Sequence, residues 1–228
     1  MIPKIIHQIW LGGEVPETFQ RAAERLKRLH PDYEYMLWTD DNLPTDLINQ
    51  SVVDDIRKQG ELTSVISDCY RYEILARYGG VYSDFDIIYF KSFDELIHNK
   101  SEVIIEENSV TLTNCFIAAE QNHPLLHNII NRLRSNYFGH RDTDSILMSG
   151  GIFFYSDSAQ QWPDELFIVP REYFVAFCQY WDWVEFAEKM EQGIKNNWYG
   201  LHYWGHKDLG SITERMTKTL DYLEKEGL

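Results

Sequence analysis

Apolar and polar positions along the chain follow two periods in turn, which predicts strands that alternate with helices. Short apolar runs between turn residues predict strands at 4–10, 33–38, 81–82, 87–90, 102–105, 115–119, 152–155 and 166–169. Apolar residues three and four positions apart predict helices at 16–29, 62–78, 124–137 and 211–226. This alternation favours a layered α/β domain with a largely parallel central sheet.

Start and stop signals support two of these helices. Gly79 follows the second helix where a left-handed C-cap belongs, and Ser211 begins a capping box that ends at Glu214. The segment 160–197 is aromatic and irregular, and its pattern predicts no topology. Neither a low-complexity linker nor an internal repeat interrupts the chain, so we expect a single domain over residues 1–228.

Composition indicates which partners we do not expect the protein to bind and in which cellular compartment we expect it. Lys+Arg 21 against Asp+Glu 36 gives a formal net charge of −15, which disfavours binding to nucleic acid or to anionic lipid. Three widely spaced cysteines without a Cys-x-x-Cys pair suit a reducing cytosol. The start does not resemble a signal peptide, and no apolar run approaches about 20 residues. We therefore expect a cytoplasmic protein without a transmembrane segment, whose association with the inner membrane face would be peripheral.

Two Asp-x-Asp pairs occur, and their contexts differ. Asp142 and Asp144 lie among polar residues, which is typical of a solvated loop. Asp84 and Asp86 lie between apolar strand residues, so alternation would place both carboxylates on one face. Two such carboxylates repel each other unless a cation lies between them, and oxygen ligands suit Mg²⁺ or Mn²⁺, which in turn hold a diphosphate. A surface turn rich in acidic residues is the alternative.

The helix before this pair carries Asp68 and Arg71 at i and i+3, hence on one face. By pattern alone they would be an ordinary helix ion pair worth about 0.2–0.5 kcal/mol. The functional alternative is that Asp68 accepts hydrogen bonds from sugar hydroxyls while Arg71 binds a sugar or phosphate oxygen.

Three blocks in this order resemble glycosyltransferase family 32, whose sugar-binding region contains the Asp-x-Asp motif. They are IPKIIHQIWLG at 2–12, SDCYRYEIL at 67–75 and YGGVYSDFD at 78–86, and a weaker fourth block is NCFIAA at 114–119. The family is akin to initiating mannosyltransferases and capsular polysaccharide enzymes. The blocks are more distantly similar to the sugar-transfer domain of glucosylating bacterial toxins.

The resemblance implies a GT-A fold, a Rossmann-like architecture that binds a nucleotide sugar, with Mn²⁺ or Mg²⁺ as cofactor and retention of anomeric configuration. It implies that Trp10 stacks on the donor's base, although without the resemblance Trp10 would more often be a core residue. It further implies that Asp68 and Arg71 contact the donor's sugar. By the same resemblance Asp84 and Asp86 hold the metal, with Asp86 the more direct ligand. Tyr82 belongs to the same block and is predicted to contact the substrate.

A further metal ligand is expected late in the chain. A cation held only by Asp86, diphosphate oxygens and waters would bind weakly, and the resemblance implies a late ligand, which glycosyltransferases of this fold often add. His202 lies in an aromatic run that predicts a strand, and it matches the family's late histidine. We predict His202 rather than His206, which stands where the family often has a serine. The alternative is an aromatic core strand with a satisfied histidine. A second departure is Ser149-Gly150-Gly151, where family members often carry Thr-Gly-Pro.

These features predict a metal-dependent retaining glycosyltransferase that moves a hexose from a nucleotide sugar, expected to be UDP-linked, to a glycan or lipid-linked oligosaccharide. Surface polysaccharide synthesis is the expected setting. A toxin-like enzyme that acts on a protein is the second interpretation, and a non-catalytic sugar- or cation-binding module is the third.

Overall fold

The computed structural model describes residues 1–60, 63–106, 111–139, 151–162, 164, 166–174, 183–203 and 209–228. Eight strands lie in these ranges: β1 (Ile5–Ile9), β2 (Glu34–Trp38), β3 (Gly80–Ser83), β4 (Ile87–Tyr89), β5 (Glu102–Glu106), β6 (Leu112–Ala119), β7 (Phe167–Val169) and β8 (Gly200–His202). The helices of the same ranges are α1 (Glu17–Leu29), α2 (Gln50–Gln59), α3 (Thr63–Tyr78), α4 (Asp94–Ile97), α5 (Pro124–Gly139), α6 (Ile152–Gln160), α7 (Trp183–Lys195) and α8 (Leu209–Lys225). A 3₁₀ turn covers Arg171–Phe174.

The central sheet of the described residues has six strands in the order β2-β1-β3-β6-β5-β7. Strands β2, β1 and β3 are parallel to one another, β6 is antiparallel to β3 and β5, and β7 is parallel to β5. A separate antiparallel ladder joins β4 to β8, with Ile87 opposite His202. The expected α/β architecture with a largely parallel sheet is confirmed.

Some predicted elements differ from the observed ones in type or boundary. The segment 152–155, predicted as a strand, is the first turn of α6. Its short apolar run fits a buried helix as well as a strand, and Tyr155 and Ala159, four residues apart, are both buried in one core cluster. The last helix begins at Leu209, so the predicted capping residue Ser211 lies inside it.

Three helices of the described ranges were not predicted. These are α2, α4 and, within the unassigned segment 160–197, α7. Helix α2 ends at Gly60 in the left-handed conformation, with φ 70°.

Helix α3 and the turn after it position the site. Eleven of the 16 residues of α3 are buried, including three of its four charged residues, Asp68, Arg71 and Glu73. Gly79 (φ 65°) and Gly80 (φ 99°) then turn the chain directly into β3. A Cβ at Gly80 would lie 2.5 Å from the carbonyl oxygen of Ile5, so only glycine lets β3 pack this closely against β1.

Candidate active site

The Asp84–Asp86 pair lies in the turn between β3 and β4, so the strand alternation that was expected to place both carboxylates on one face does not apply to it. Phe85, between them, is buried in a cluster with residues of α1 and α8. The main-chain N–H of Asp84 donates to the carbonyl oxygen of Cys115 on β6 (2.8 Å), which fixes the start of the turn. The two carboxylates nevertheless come together, because the turn is held at both ends by paired strands.

Strand β8 brings His202 to this turn. Nε2 of His202 lies 3.3 Å from Oδ1 of Asp86. One ligand atom from each of Asp84, Asp86 and His202 lies within 4.8 Å of the other two. Two carboxylate oxygens and an imidazole nitrogen form a donor set that fits Mn²⁺ well and Mg²⁺ less well. The structure thus brings together the three residues expected to bind metal, whereas His206 and residues 149–150 lie outside the described residues.

The electrostatics of the turn favour a cation. Burial raises the pKa of the Asp84 carboxyl; Arg71 lowers this pKa, and the neighbouring Asp86 raises it further. Burial lowers the pKa of the His202 imidazole, but the Cys115 thiol and the Asp86 carboxylate outweigh it and hold that pKa well above its usual value. A divalent cation would relieve the repulsion between the carboxylates and compete with the proton for the imidazole.

Arg71 joins the metal motif to Asp68. Its Nη2 lies 3.0 Å from Oδ1 of Asp68, and its Nη1 lies 3.5 Å from Oδ1 of Asp84. Only 6% of the Arg71 side chain is exposed, so this is not the exposed helix pair that the pattern alone favours. Burial, opposed by the Arg71 charge, raises the pKa of Asp68 to about 6. Above that pH, Asp68 is an ionised hydrogen-bond acceptor.

Tyr82, on β3, contacts both Asp84 and Arg71. Its hydroxyl donates to Oδ1 of Asp84 (2.5 Å), and the Arg71 guanidinium lies 4.4 Å from the centre of its ring. The Tyr82 side chain is buried, so the structure gives it contacts that orient Arg71 and Asp84. Its predicted contact with substrate stays a prediction.

Asn114 is a site residue that the sequence analysis missed. Its Nδ2 donates to Oδ1 of Asp68 (2.9 Å) and to the hydroxyl oxygen of Tyr72 (3.1 Å). The main-chain carbonyl oxygen of Asn114 accepts a hydrogen bond from Nη1 of Arg71 (2.6 Å). The only signal was the weak fourth block at 114–119, which the fold places on β6, antiparallel to β3.

Trp10 lies just beyond the carboxyl end of β1. It is half-buried, and its ring centre lies 5.0 Å from that of Phe19 and 5.4 Å from that of Phe85. Strands β1 and β3 are parallel, so Trp10 and Asp84 lie beyond the same edge of the sheet. A half-buried ring at this edge is compatible with the predicted stacking on a base, which stays a prediction.

Residues 16–103 match the family model described as glycosyltransferase sugar-binding region containing DXD motif. This part of the chain is therefore similar to the sugar-binding region of DXD-type glycosyltransferases. One relative is inositol phosphoceramide mannosyltransferase 3 of Schizosaccharomyces pombe. It is 28% identical over 218 residues, which are 89% of this chain and 60% of that protein. The chain thus spans less than two thirds of this relative's length.

Solved glycosyltransferases share the fold. The PaToxG glycosyltransferase superposes with a TM-score of 0.61 at 16% identity, over 96% of this chain and 86% of that one. The galactosyltransferase LgtC, solved with donor and acceptor sugar analogs, superposes with a TM-score of 0.52 at 12% identity, over 96% and 95%. The DXD-type region therefore lies within a GT-A fold, as the resemblance implies. None of the helices in the described part of the chain is both long and apolar enough to cross a bilayer.

Proposed function

We propose that this chain is a metal-dependent, retaining glycosyltransferase that moves a hexose from a nucleoside diphosphate sugar to an acceptor hydroxyl. One observation carries the proposal. The ligand set of Asp84, Asp86 and His202 lies beside the buried Asp68–Arg71 pair at one edge of the sheet. The family match, which includes the Asp-x-Asp residues, supports it.

The protein's own residues have distinct roles in this proposal. A divalent cation held by Asp84, Asp86 and His202 would neutralise the charge that develops on the leaving diphosphate. Arg71 adds a fixed positive charge next to Asp84 and binds a sugar or phosphate oxygen of the donor. Asp68, held in place by Arg71 and by the Asn114 amide, accepts hydrogen bonds from the sugar's hydroxyls.

The chemical identity of the donor and the acceptor has less support than the transfer reaction itself. We expect a UDP-linked hexose as the donor, whereas the name of the Schizosaccharomyces relative supports mannose as the hexose. That name also gives inositol phosphoceramide as the relative's acceptor, so we propose a lipid head group or lipid-linked oligosaccharide at a cytoplasmic membrane face. Surface polysaccharide synthesis is the corresponding setting.

The first experiment is a screen of nucleotide sugars by thermal shift, with and without Mn²⁺. Only the true donor should raise the melting temperature, and the shift should require the cation. Hydrolysis of that donor is then measured for Asp84→Asn and Asp86→Asn. We expect both variants to be folded and inactive, because they remove negative charge from the cation site.

Asp32→Asn is the matched control, because it removes the same charge from a surface carboxylate that is 77% exposed. Full Mn²⁺-dependent activity in Asp86→Asn would contradict the proposed function. Binding of a sugar without hydrolysis or transfer would favour the non-catalytic module. Transfer to a protein, but not to lipid or glycan acceptors, would favour the toxin-like enzyme.

A further inference from the structure

Gln8 is a buried residue of β1 whose side chain reaches the turn that carries Asp84 and Asp86. It is 1% exposed. Its Nε2 donates to the main-chain carbonyl oxygen of Asp84 (3.3 Å), and its Oε1 accepts from the hydroxyl of Tyr35 on β2 (2.8 Å). One amide side chain therefore connects two strands of the central sheet to the candidate metal site.

The partners of Gln8 determine which way its amide points. A carbonyl oxygen only accepts hydrogen bonds, so the NH₂ group of Gln8 must face Asp84. The amide oxygen then faces Tyr35, whose hydroxyl must donate. The reversed amide would place two acceptors against each other at Asp84. The two bonds therefore run in one direction, from Tyr35 through Gln8 to Asp84.

The two strands that flank β3 both hold the main chain of Asp84. In the sheet, β3 lies between β1 and β6. Main-chain pairing of β1 with β3 ends at His7 and Tyr82. Beyond this pair, the Gln8 side chain bonds the carbonyl oxygen of Asp84 from β1, while the carbonyl oxygen of Cys115 on β6 accepts from the Asp84 N–H. Gln8 thus extends the contact between β1 and β3 into the turn.

The bond to the Asp84 carbonyl affects both candidate carboxylate ligands. This carbonyl belongs to the peptide group that joins Asp84 to Phe85, so its direction sets the path of the chain toward Asp86. Oγ of Ser83 also donates to it (3.1 Å), and a carbonyl oxygen has lone pairs for two donors. Ser83 precedes Asp84 directly and moves with the turn, whereas Gln8 fixes the carbonyl relative to β1.

We propose that Gln8 is a positioning residue for the cation site and that Tyr35 sets the direction of its amide. By holding the Asp84 carbonyl, Gln8 keeps the turn in the conformation in which both carboxylates face one position. This inference rests on the proposed function, because it requires the cation site. It assigns neither Gln8 nor Tyr35 a contact with substrate.

Asn49 provides a matched comparison. It is also a buried side-chain amide, at 2% exposure, and its Nδ2 donates to the main-chain carbonyl oxygen of Ile130 (2.9 Å) on α5. Gln8→Met and Asn49→Leu each remove such a bond and keep the approximate size of the side chain. If both amides only stabilise the fold, both variants should melt at lower temperature and bind the cation as the wild type does. If Gln8 positions the turn, only Gln8→Met should weaken binding of the cation.

The test is a titration with Mn²⁺ alone, followed by the electron paramagnetic resonance signal of the unbound ion. We expect Gln8→Met to raise the dissociation constant about tenfold, the lower end of the range for loss of an outer partner of a metal ligand, because Gln8 bonds the main chain of Asp84 and not its carboxylate. Asn49→Leu should bind Mn²⁺ as the wild type does. Thermal melts without Mn²⁺ check that each variant is folded. Wild-type affinity in folded Gln8→Met, or an equal loss in Asn49→Leu, would overturn the inference.

Tyr35→Phe tests the second bond, which should act only through Gln8. It should raise the dissociation constant about threefold in the wild-type background, as loss of one hydrogen bond allows, and have no further effect in Gln8→Met. Tyr33→Phe is the control, because it removes a hydroxyl that donates to Asp94 (2.6 Å) and should leave the affinity unchanged. An equal effect of Tyr35→Phe in both backgrounds would overturn the role of Tyr35. If Gln8→Met does not fold, the two tyrosine variants decide, and equal Mn²⁺ affinities for them would overturn the inference.

Asp86→Asn separates this inference from the proposed function. If the wild type binds Mn²⁺ and Asp86→Asn does not, the cation site stands, and the Gln8 and Tyr35 variants then decide whether these residues position it. If the wild type does not bind Mn²⁺, the proposed cation site fails and this inference fails with it.

Discussion

Trp10→Ala separates a residue that binds the nucleotide from one that only packs. Trp10 is half-buried and contacts the rings of Phe19 and Phe85. Each aromatic pair contributes about 0.5–1.5 kcal/mol beyond the burial of apolar area, so the two pairs account for about 1–3 kcal/mol of the free energy of unfolding. Trp10 is only half-buried, so the total loss, lost burial included, should not exceed the roughly 3–5 kcal/mol expected for truncation of a fully buried tryptophan.

The effect on binding should be of similar size. Stacking of a base on an aromatic ring contributes about 1–3 kcal/mol. At about 1.4 kcal/mol per tenfold change, Trp10→Ala should raise the dissociation constant of the nucleoside diphosphate about 5- to 140-fold. Trp10→Phe keeps a ring for both partners and should lose less of each quantity.

The assay is isothermal titration calorimetry with UDP and with GDP in the presence of Mn²⁺, together with urea unfolding. Phe19→Leu is the control, because it removes one ring partner of Trp10 and leaves the indole in place. It should reduce stability without changing affinity for the nucleotide. A folded Trp10→Ala variant with unchanged affinity for both nucleotides would refute base stacking.

Three further predictions address the late histidine, acid stability and a buried carboxylate. His202→Ala should raise the Mn²⁺ concentration required for activity at least tenfold, about 1.4 kcal/mol, and His206→Ala should have a smaller effect. An unchanged metal titration for His202→Ala, or a larger effect for His206→Ala, would contradict the assignment of His202 as the metal ligand. His7 donates to the carbonyl oxygen of Gly79 through Nε2 and accepts from Trp38 at Nδ1, and burial lowers its pKa to about 4. Between pH 6.5 and about 4 the His7 imidazole binds a proton in the unfolded chain but not in the folded chain. Acidification through this range should therefore remove about 3 kcal/mol from the free energy of unfolding. Urea unfolding should show a flatter pH dependence in His7→Gln. The Glu73 carboxylate accepts the main-chain N–H groups of Ile48 and Asn49, so Glu73→Gln should cost about 1–3 kcal/mol in the same assay, and wild-type stability would show that these bonds contribute little.

The sequence predicted those parts of the site whose structure is determined by neighbouring residues along the chain. Helix α3 and the Gly79 turn lie within 21 residues of Asp84, and local periodicity and capping are sufficient to place them. The metal motif was found by its spacing and its apolar flanks, although its residues lie in a turn rather than on a strand. The family resemblance supplied the choice of His202, which the structure places beside Asp86.

The part that was missed depends on pairing between distant segments. Asn114 and Cys115 acquire their contacts because β6 lies antiparallel to β3, and nothing in their own neighbourhood encodes that pairing. Likewise, the apolar run at 152–155 fits either a strand or a helix, and packing against the rest of the molecule makes it a helix. Local sequence thus predicts which chemical groups are present, whereas tertiary packing decides what holds them.

The ladder between β4 and β8 would make the proposed cation site dependent on the order in which the chain folds. Ile87 pairs with His202 over more than a hundred intervening residues, and a Cβ at Gly200 would lie 2.7 Å from the carbonyl oxygen of Ile88. A contact of such sequence separation forms late, because closing the long loop between its ends costs entropy first. During synthesis, a chain released only as far as the DXD-type region would hold both aspartates without the histidine. Tight capture of the cation would therefore coincide with docking of the C-terminal segment, and the bound ion would slow local opening of that ladder, which native-state hydrogen exchange can measure.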